Sequence, residues 1–216
     1  MVTMNCRLGN FFILLVFLLL FSFAAGCTSV RTSDTHNTTV AVQSYNSWVS
    51  NQKTFDKEVQ DSVALIGDHV KTYNTEIAKD QPDHSLLSEN LAQDRQQLDQ
   101  WGANLDNLNT ATDGFSQSTV KIQYDNATVV RTKETLGLMT QYMKIYAVDE
   151  GNARQHLIEY VNNAEAYIKP DDMDYWNDNY RQNAMQAMDQ ASASLAEGDT
   201  VLGNLTTEAH QLEMIQ

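Results

Sequence analysis

The body of this chain is written in apolar residues spaced alternately three and four apart, interrupted only by Pro82 and Pro170. Such spacing gathers side chains on one face of an α-helix, whereas a strand needs alternation at every second residue. In the first stretch, Val42, Tyr45, Val49, Val59, Val63, Ile66, Val70, Tyr73 and Ile77 carry the stripe. Gln52 and Asp56 are its polar exceptions, and Phe55 sits beside it. A heptad pattern sustained over about five repeats is too long for a strand and too regular for an unfolded chain.

The second stretch opens with Leu87, Leu91, Leu98, Trp101, Leu105 and Leu108, with Asp94 as the one polar intruder. Phe115, Ile122, Val129, Leu136 and Met143 then recur every seven residues, followed by Leu157, Val161, Ala164 and Ile168. Poor helix formers concentrate at 109–114 and 150–152, which predicts a turn at each. The heptad phase nevertheless carries across both, so uninterrupted helices are the alternative. In the third stretch Ala184, Met188, Ala191, Leu195, Leu202, Leu205, Ala209 and Leu212 form another stripe, with Gly198 inside it. Its phase differs from that of the second, which predicts a chain reversal at Pro170. The expected fold class is all-α: an elongated antiparallel helical bundle or coiled coil of three to five long helices spanning 44–216. Many stripe positions are Ala, Thr, Asn or Asp, so the core should be thin.

Composition matters here because it sits near the border of disorder. The chain holds 28 acidic and 14 basic side chains, a net charge of -14. Beyond residue 26, Leu, Ile, Val and Phe together make up about 19% of the residues, at the edge of the range for disordered chains. Pattern therefore decides for a folded body, and the charge reads as a solvated outer face. The acidity excludes a nucleic-acid partner, which needs clustered Lys and Arg to displace counterions.

The N-terminal region is different in kind. Arg7 is the only charge before an apolar run from Phe11 to Ala25 in which Ser22 is the single polar residue. About 15 residues is short for a membrane span and suits the core of a signal peptide. The run ends in Ala24-Ala25-Gly26-Cys27. This segment resembles the lipobox of prokaryotic membrane lipoproteins, with Ala24 where the commonest form has Leu. The resemblance covers residues 1–27 and implies removal of 1–26 and attachment of diacylglycerol to the Cys27 thiol. An ordinary secretory cleavage site and an uncleaved apolar anchor are the other two readings. All three export the rest of the chain, because Arg7 favours the cytoplasmic side. Residues 27–43, rich in Ser and Thr, are expected to form a flexible tether holding the domain roughly 20 Å from the bilayer. The expected location is the outer face of the cytoplasmic membrane, the cell surface or the periplasmic side.

Candidate sites in the body are weak. No Glu-x-x-His pair occurs, His156–Glu159 and His210–Glu213 have one-face spacing in the reverse order only, and no metal or cofactor is expected. The stretch containing Asp171, Asp172, Asp174, Tyr175, Trp176 and Asp178 could offer a cation or aromatic contact patch. The reading favoured over that is the acidic start of a helix after Pro170, with the aromatics closing the bundle end. Asn37, Asn126 and Asn204 head glycosylation acceptor triplets. No Gly-x-Ser-x-Gly, phosphate-cradling glycine loop or body cysteine is present, so an enzyme is not expected. The expected function is that of a non-enzymatic surface or envelope protein that contacts another macromolecule, or pairs with itself through a free stripe. The competing expectation is a ligand- or metal-binding lipoprotein serving a transporter or sensor.

Overall fold

The computed structural model describes residues 32–122, 127–169 and 178–214. Among them there are four α-helices and no strand: α1 (Thr32–Glu76), α2 (His84–Val120), α3 (Ala127–Ile168) and α4 (Asp178–Met214). The described part of the chain is all-helical, and its helices pack as a bundle. α1 lies against α2, α2 against α3, and α4 along α3.

The Pro82 boundary forms as the residue types require. Asp83 caps α2, its carboxylate accepting from the Leu86 N–H at 3.0 Å and its carbonyl accepting from Leu87 at 3.1 Å. The Asp83 N–H in turn donates to Glu76 Oε2 at 3.2 Å, which ties the end of α1 to the start of α2.

The two turns expected at 109–114 and 150–152 do not form, because α2 and α3 run straight through them. Helix propensity disfavours Gly by only about 1 kcal/mol, and packing outweighs it. Leu108, Thr112 and Phe115 are all buried on one face of α2. The Thr110 and Thr112 hydroxyls donate to the carbonyls of Asp106 and Leu108, so they use the helix rather than compete with it. The break falls instead after Val120. There Ser118 and Thr119 hydroxyls donate back to the Phe115 and Ser116 carbonyls at 2.7 and 2.8 Å. Local bonds of this kind compete with helix continuation, and the Lys121 N–H closes the last turn on Ser118. The heptad phase across Ile122 hid this break from the sequence.

A second correction concerns the tether. α1 begins at Thr32, inside the segment 27–43 expected to be flexible. Ala41 and Tyr45 are buried, and the Asn37 Nδ2 donates to the Lys121 carbonyl at 2.9 Å. These contacts hold the Ser/Thr-rich stretch in a helix that its composition alone would not sustain.

The core is aromatic at its centre. Phe55 meets Trp101 and Tyr146 edge-on, with ring centroids 6.2 and 6.3 Å apart. Trp48 meets Tyr146 edge-on at 6.4 Å, and Tyr45 contacts both Trp48 and Phe115. These rings lock α1, α2 and α3 together. α4 joins by a different device: Ala184, Ala187, Ala191, Ser194 and Gly198 give it a face of small residues. A β-carbon added at Gly198 would sit 3.2 Å from a Glu150 carboxylate oxygen.

Glycine therefore plays two roles. Gly67, Gly114, Gly137 and Gly203 have open space where a β-carbon would go. Each replacement by Ala at these four should raise stability by about 0.5–1 kcal/mol, whereas Gly198→Leu should lower it. Urea denaturation followed by circular dichroism measures both effects, and a stabilising Gly198→Leu would contradict the close approach of α4 to α3.

Candidate functional site

The polar residues that interrupt the stripes are inside the bundle. Leu87, Leu91, Asp94, Leu98 and Trp101 follow one continuous pattern of four- and three-residue steps, so the carboxylate of Asp94 must enter the core. Asp94 is fully buried. On α1, His69 flanks the stripe residues Ile66, Val70 and Tyr73, and its Nδ1 lies 2.6 Å from Asp94 Oδ1. The second Asp94 oxygen, the Tyr73 and Tyr160 hydroxyls and the Trp101 indole N–H are buried without a protein partner among the described residues.

Burial holds the Asp94 carboxyl above its ordinary value, with the hydrogen bond and charge of His69 opposing the shift. The Tyr160 hydroxyl is pushed up by burial first, then by the charge of Asp94 and by Tyr73. Burial also raises Tyr73, reinforced by Tyr167 and opposed by Arg181. This interior region is thus one that resists negative charge while holding a carboxyl group.

The sign of its pH dependence follows. The folded state binds the Asp94 proton more tightly than the unfolded chain, whose aspartate titrates near 3.8. The contribution of Asp94 to stability is then fully present below that value and is lost as pH rises through the raised folded value. Asp149, raised by burial and then by the charge of Glu197, acts in the same direction. Asp68, lowered by its exposed contact with Lys71, acts in the opposite direction but is solvent-screened. The stability of Asp94→Asn relative to the parent should therefore rise from pH 4 to pH 7. Thermal melts across that range measure it, and a relative stability that rises on acidification would contradict the sign.

A second polar island lies among the aromatic rings. Asp56 accepts from Gln52 Nε2 and from the Tyr146 hydroxyl, each at 2.5 Å. Nearby, the Trp48 indole donates to Thr112 Oγ1 at 2.9 Å. Glu150, one turn beyond Tyr146 on α3, is fully buried. Both Asp56 oxygens are engaged, one by Gln52 within α1 and one by Tyr146 on α3. Asp56→Ala removes the acceptor of the Tyr146 hydroxyl and of the Gln52 amide, and should cost about 1–3 kcal/mol in chemical denaturation. A change within error would show that solvent replaces the carboxylate.

At the surface, an open groove of about 750 Å3 runs between the start of α2 and the end of α3, lined by His84, Ser85, Ser88, Asn162, Glu165 and Lys169. Arg95 borders it, donating to both Glu165 oxygens at 2.9 and 2.6 Å and to Asn162 Oδ1 at 2.8 Å. At the α2–α3 crossing, Arg154 Nε donates to the Leu98 carbonyl at 2.5 Å. Its guanidinium occupies the space left open by Gly102.

Of the residues singled out in the sequence, Cys27, Asn126, Asp171, Asp172, Asp174, Tyr175 and Trp176 lie outside the described residues. Asp178 opens α4 and is exposed, as befits an acid at a helix N-terminus. Asn37 is half-buried at the α1–α2 contact, and Asn204 is exposed on α4. His156 and Glu159 pair at 3.2 Å on α3. Among the described residues no three His, Cys, Asp or Glu side chains are grouped to hold a metal ion. No helix among them is long and apolar enough to cross a membrane. The signal for the His69–Asp94 pair was present in the sequence as an acid inside a stripe; its partner on another helix was not.

Comparisons with protein-family models, with curated proteins and with solved structures find no match to this chain.

Proposed function

We propose that this chain is a lipid-anchored, exported helical-bundle protein that acts by contacting another macromolecule and has no catalytic role. The observation that carries the reading is Cys27, placed directly after an apolar run and two alanines and a glycine, with the first helix of an acidic bundle starting at Thr32. Lipid on the Cys27 thiol would hold the protein on the outer face of the cytoplasmic membrane or at the cell surface. The interior supports a structural use of the buried acids: His69–Asp94 and Asp56–Tyr146 each join two helices, and the second Asp56 oxygen accepts from Gln52 on the same helix.

The bundle itself is proposed to be elongated and antiparallel. In support, the α1–α2 contacts Asn37–Lys121, Trp48–Thr112 and His69–Asp94 run in opposite sequence order. The α2–α3 contacts Arg95–Glu165 and Leu98–Arg154 do the same. An extended, charged outer surface of this kind suits a protein partner better than a small molecule. The acidic and aromatic residues Asp171, Asp172, Asp174, Tyr175, Trp176 and Asp178 remain the proposed contact patch, and Asn37, Asn126 and Asn204 the proposed glycosylation positions.

A ligand-binding role is the competing reading, and the groove beside Arg95 is the observation in its favour. Crosslinking in native membranes discriminates between the two by capturing a protein partner or none. Cys27→Ser should abolish lipid labelling and release the protein from membranes. If both forms stay membrane-bound and unlabelled, the lipoprotein reading is wrong.

A further inference from the structure

Three helices bring buried polar atoms to one level of the bundle. The contact of His69 with Asp94 sets that level between α1 and α2. Tyr73 lies one turn beyond His69 on the same face of α1. On α3, the contacts Arg95–Glu165 and Leu98–Arg154 bracket Tyr160, so Tyr160 stands beside the 94–98 turn of α2. The Tyr73 and Tyr167 rings, 6.3 Å apart, bring α1 and α3 together next to it.

At this level Asp94 Oδ2 and the Tyr73 and Tyr160 hydroxyls are buried, and none has a hydrogen-bond partner among the described residues. Asp94, Tyr73 and Tyr160 are 0, 5 and 3% exposed, so bulk solvent does not serve them either. The three groups are nevertheless close. The Tyr160 hydroxyl is held above its ordinary value by burial first, then by the charge of Asp94 and by Tyr73. Atoms that sense one another yet make no direct bond are spaced for a bridge, and one water spans about 5.5 Å between two polar atoms. Buried waters make about three hydrogen bonds to groups of this kind.

The bonding types suit water. A water can donate to the carboxylate oxygen while accepting from the two phenols. Three oxygens are too few for a bare calcium or magnesium ion, which takes about six or more. Anything larger than water meets apolar side chains. Leu91 and Leu98 lie one turn to either side of Asp94, Val161 and Ala164 follow Tyr160, and all four are buried. His69 offers the way in, because its side chain keeps 13% of its surface exposed while that of Asp94 keeps none.

We infer that Asp94 Oδ2 and the hydroxyls of Tyr73 and Tyr160 form a binding site for one ordered water in the core of the bundle. The water joins α1, α2 and α3 at a level where the His69–Asp94 contact joins only α1 and α2. The site is independent of the anchor proposed at Cys27.

The test uses the full chain in detergent micelles. A crystal structure should show one density peak within hydrogen-bond distance of Asp94 Oδ2 and of at least one of the two hydroxyls. Oxygen-17 relaxation dispersion counts long-lived internal waters in solution. In Asp94→Leu, which removes the acceptor and fills its place, the count should fall by about one per chain. Should that variant fail to fold, Tyr73→Phe combined with Tyr160→Phe removes two hydroxyls and no ring, and carries the same expectation. Circular dichroism confirms that the helical signal is kept. A direct Tyr160–Asp94 hydrogen bond with no peak beside it overturns the inference. So does an unchanged water count in a folded variant. A peak surrounded by six oxygens at cation distances overturns water as the occupant.

Discussion

The meeting of Phe55, Trp101 and Tyr146 is the contact on which the rest of this bundle depends. Each ring comes from a different helix, and Phe55 meets both of the others edge-on, so the three helices are fixed to one another at a single height. Away from this centre Leu, Val, Ile and Met fill the interior together with the rings of Tyr73, Phe115, Tyr160 and Tyr167, and α4 adds Ala, Ser and Gly. Close approach of backbones compensates for small side chains there, because packing density rather than side-chain size governs dispersion.

The buried acids are the other constraint. Asp56, Asp94 and Glu150 are carboxyl groups where a bundle of this size would ordinarily place Leu. An ion pair or hydrogen-bonded acid in a core rarely adds net stability over a well-packed apolar group, but breaking it is costly. Sliding α1 by one turn against α2 would part His69 from Asp94 and Trp48 from Thr112 together, and sliding it against α3 would part Asp56 from Tyr146. A thin core of interchangeable small residues leaves register poorly specified, and these polar contacts specify it.

Much of this was legible in the chain. The three- and four-residue steps named the faces that are buried: Tyr45, Val49, Val59, Ile66 and Tyr73 on α1, and Leu87 through Trp101 on α2, while Phe55, read as lying beside the stripe, is buried at the centre. The interruptions by Gln52, Asp56 and Asp94 were visible as polar residues at core positions. What each of them bonds was not, since His69 lies 25 residues from Asp94 and Tyr146 lies 90 from Asp56. The helix ends were read less well. Gly114 and Gly151 signalled turns that packing suppresses, and the Ser118–Thr119 hydroxyls end α2 at a place where the apolar phase runs on.

By itself, then, the sequence determined the helical class, the inward faces and the acidic exterior, because these depend on local periodicity and solvation. Tertiary structure alone decided which helices are continuous, where α1 starts and which carboxyl groups meet a histidine or a tyrosine. The physical reason is one of magnitude. A glycine or a serine-rich stretch disfavours helix by about 1 kcal/mol per residue or less, and one buried aromatic contact outweighs it only when the chain is folded.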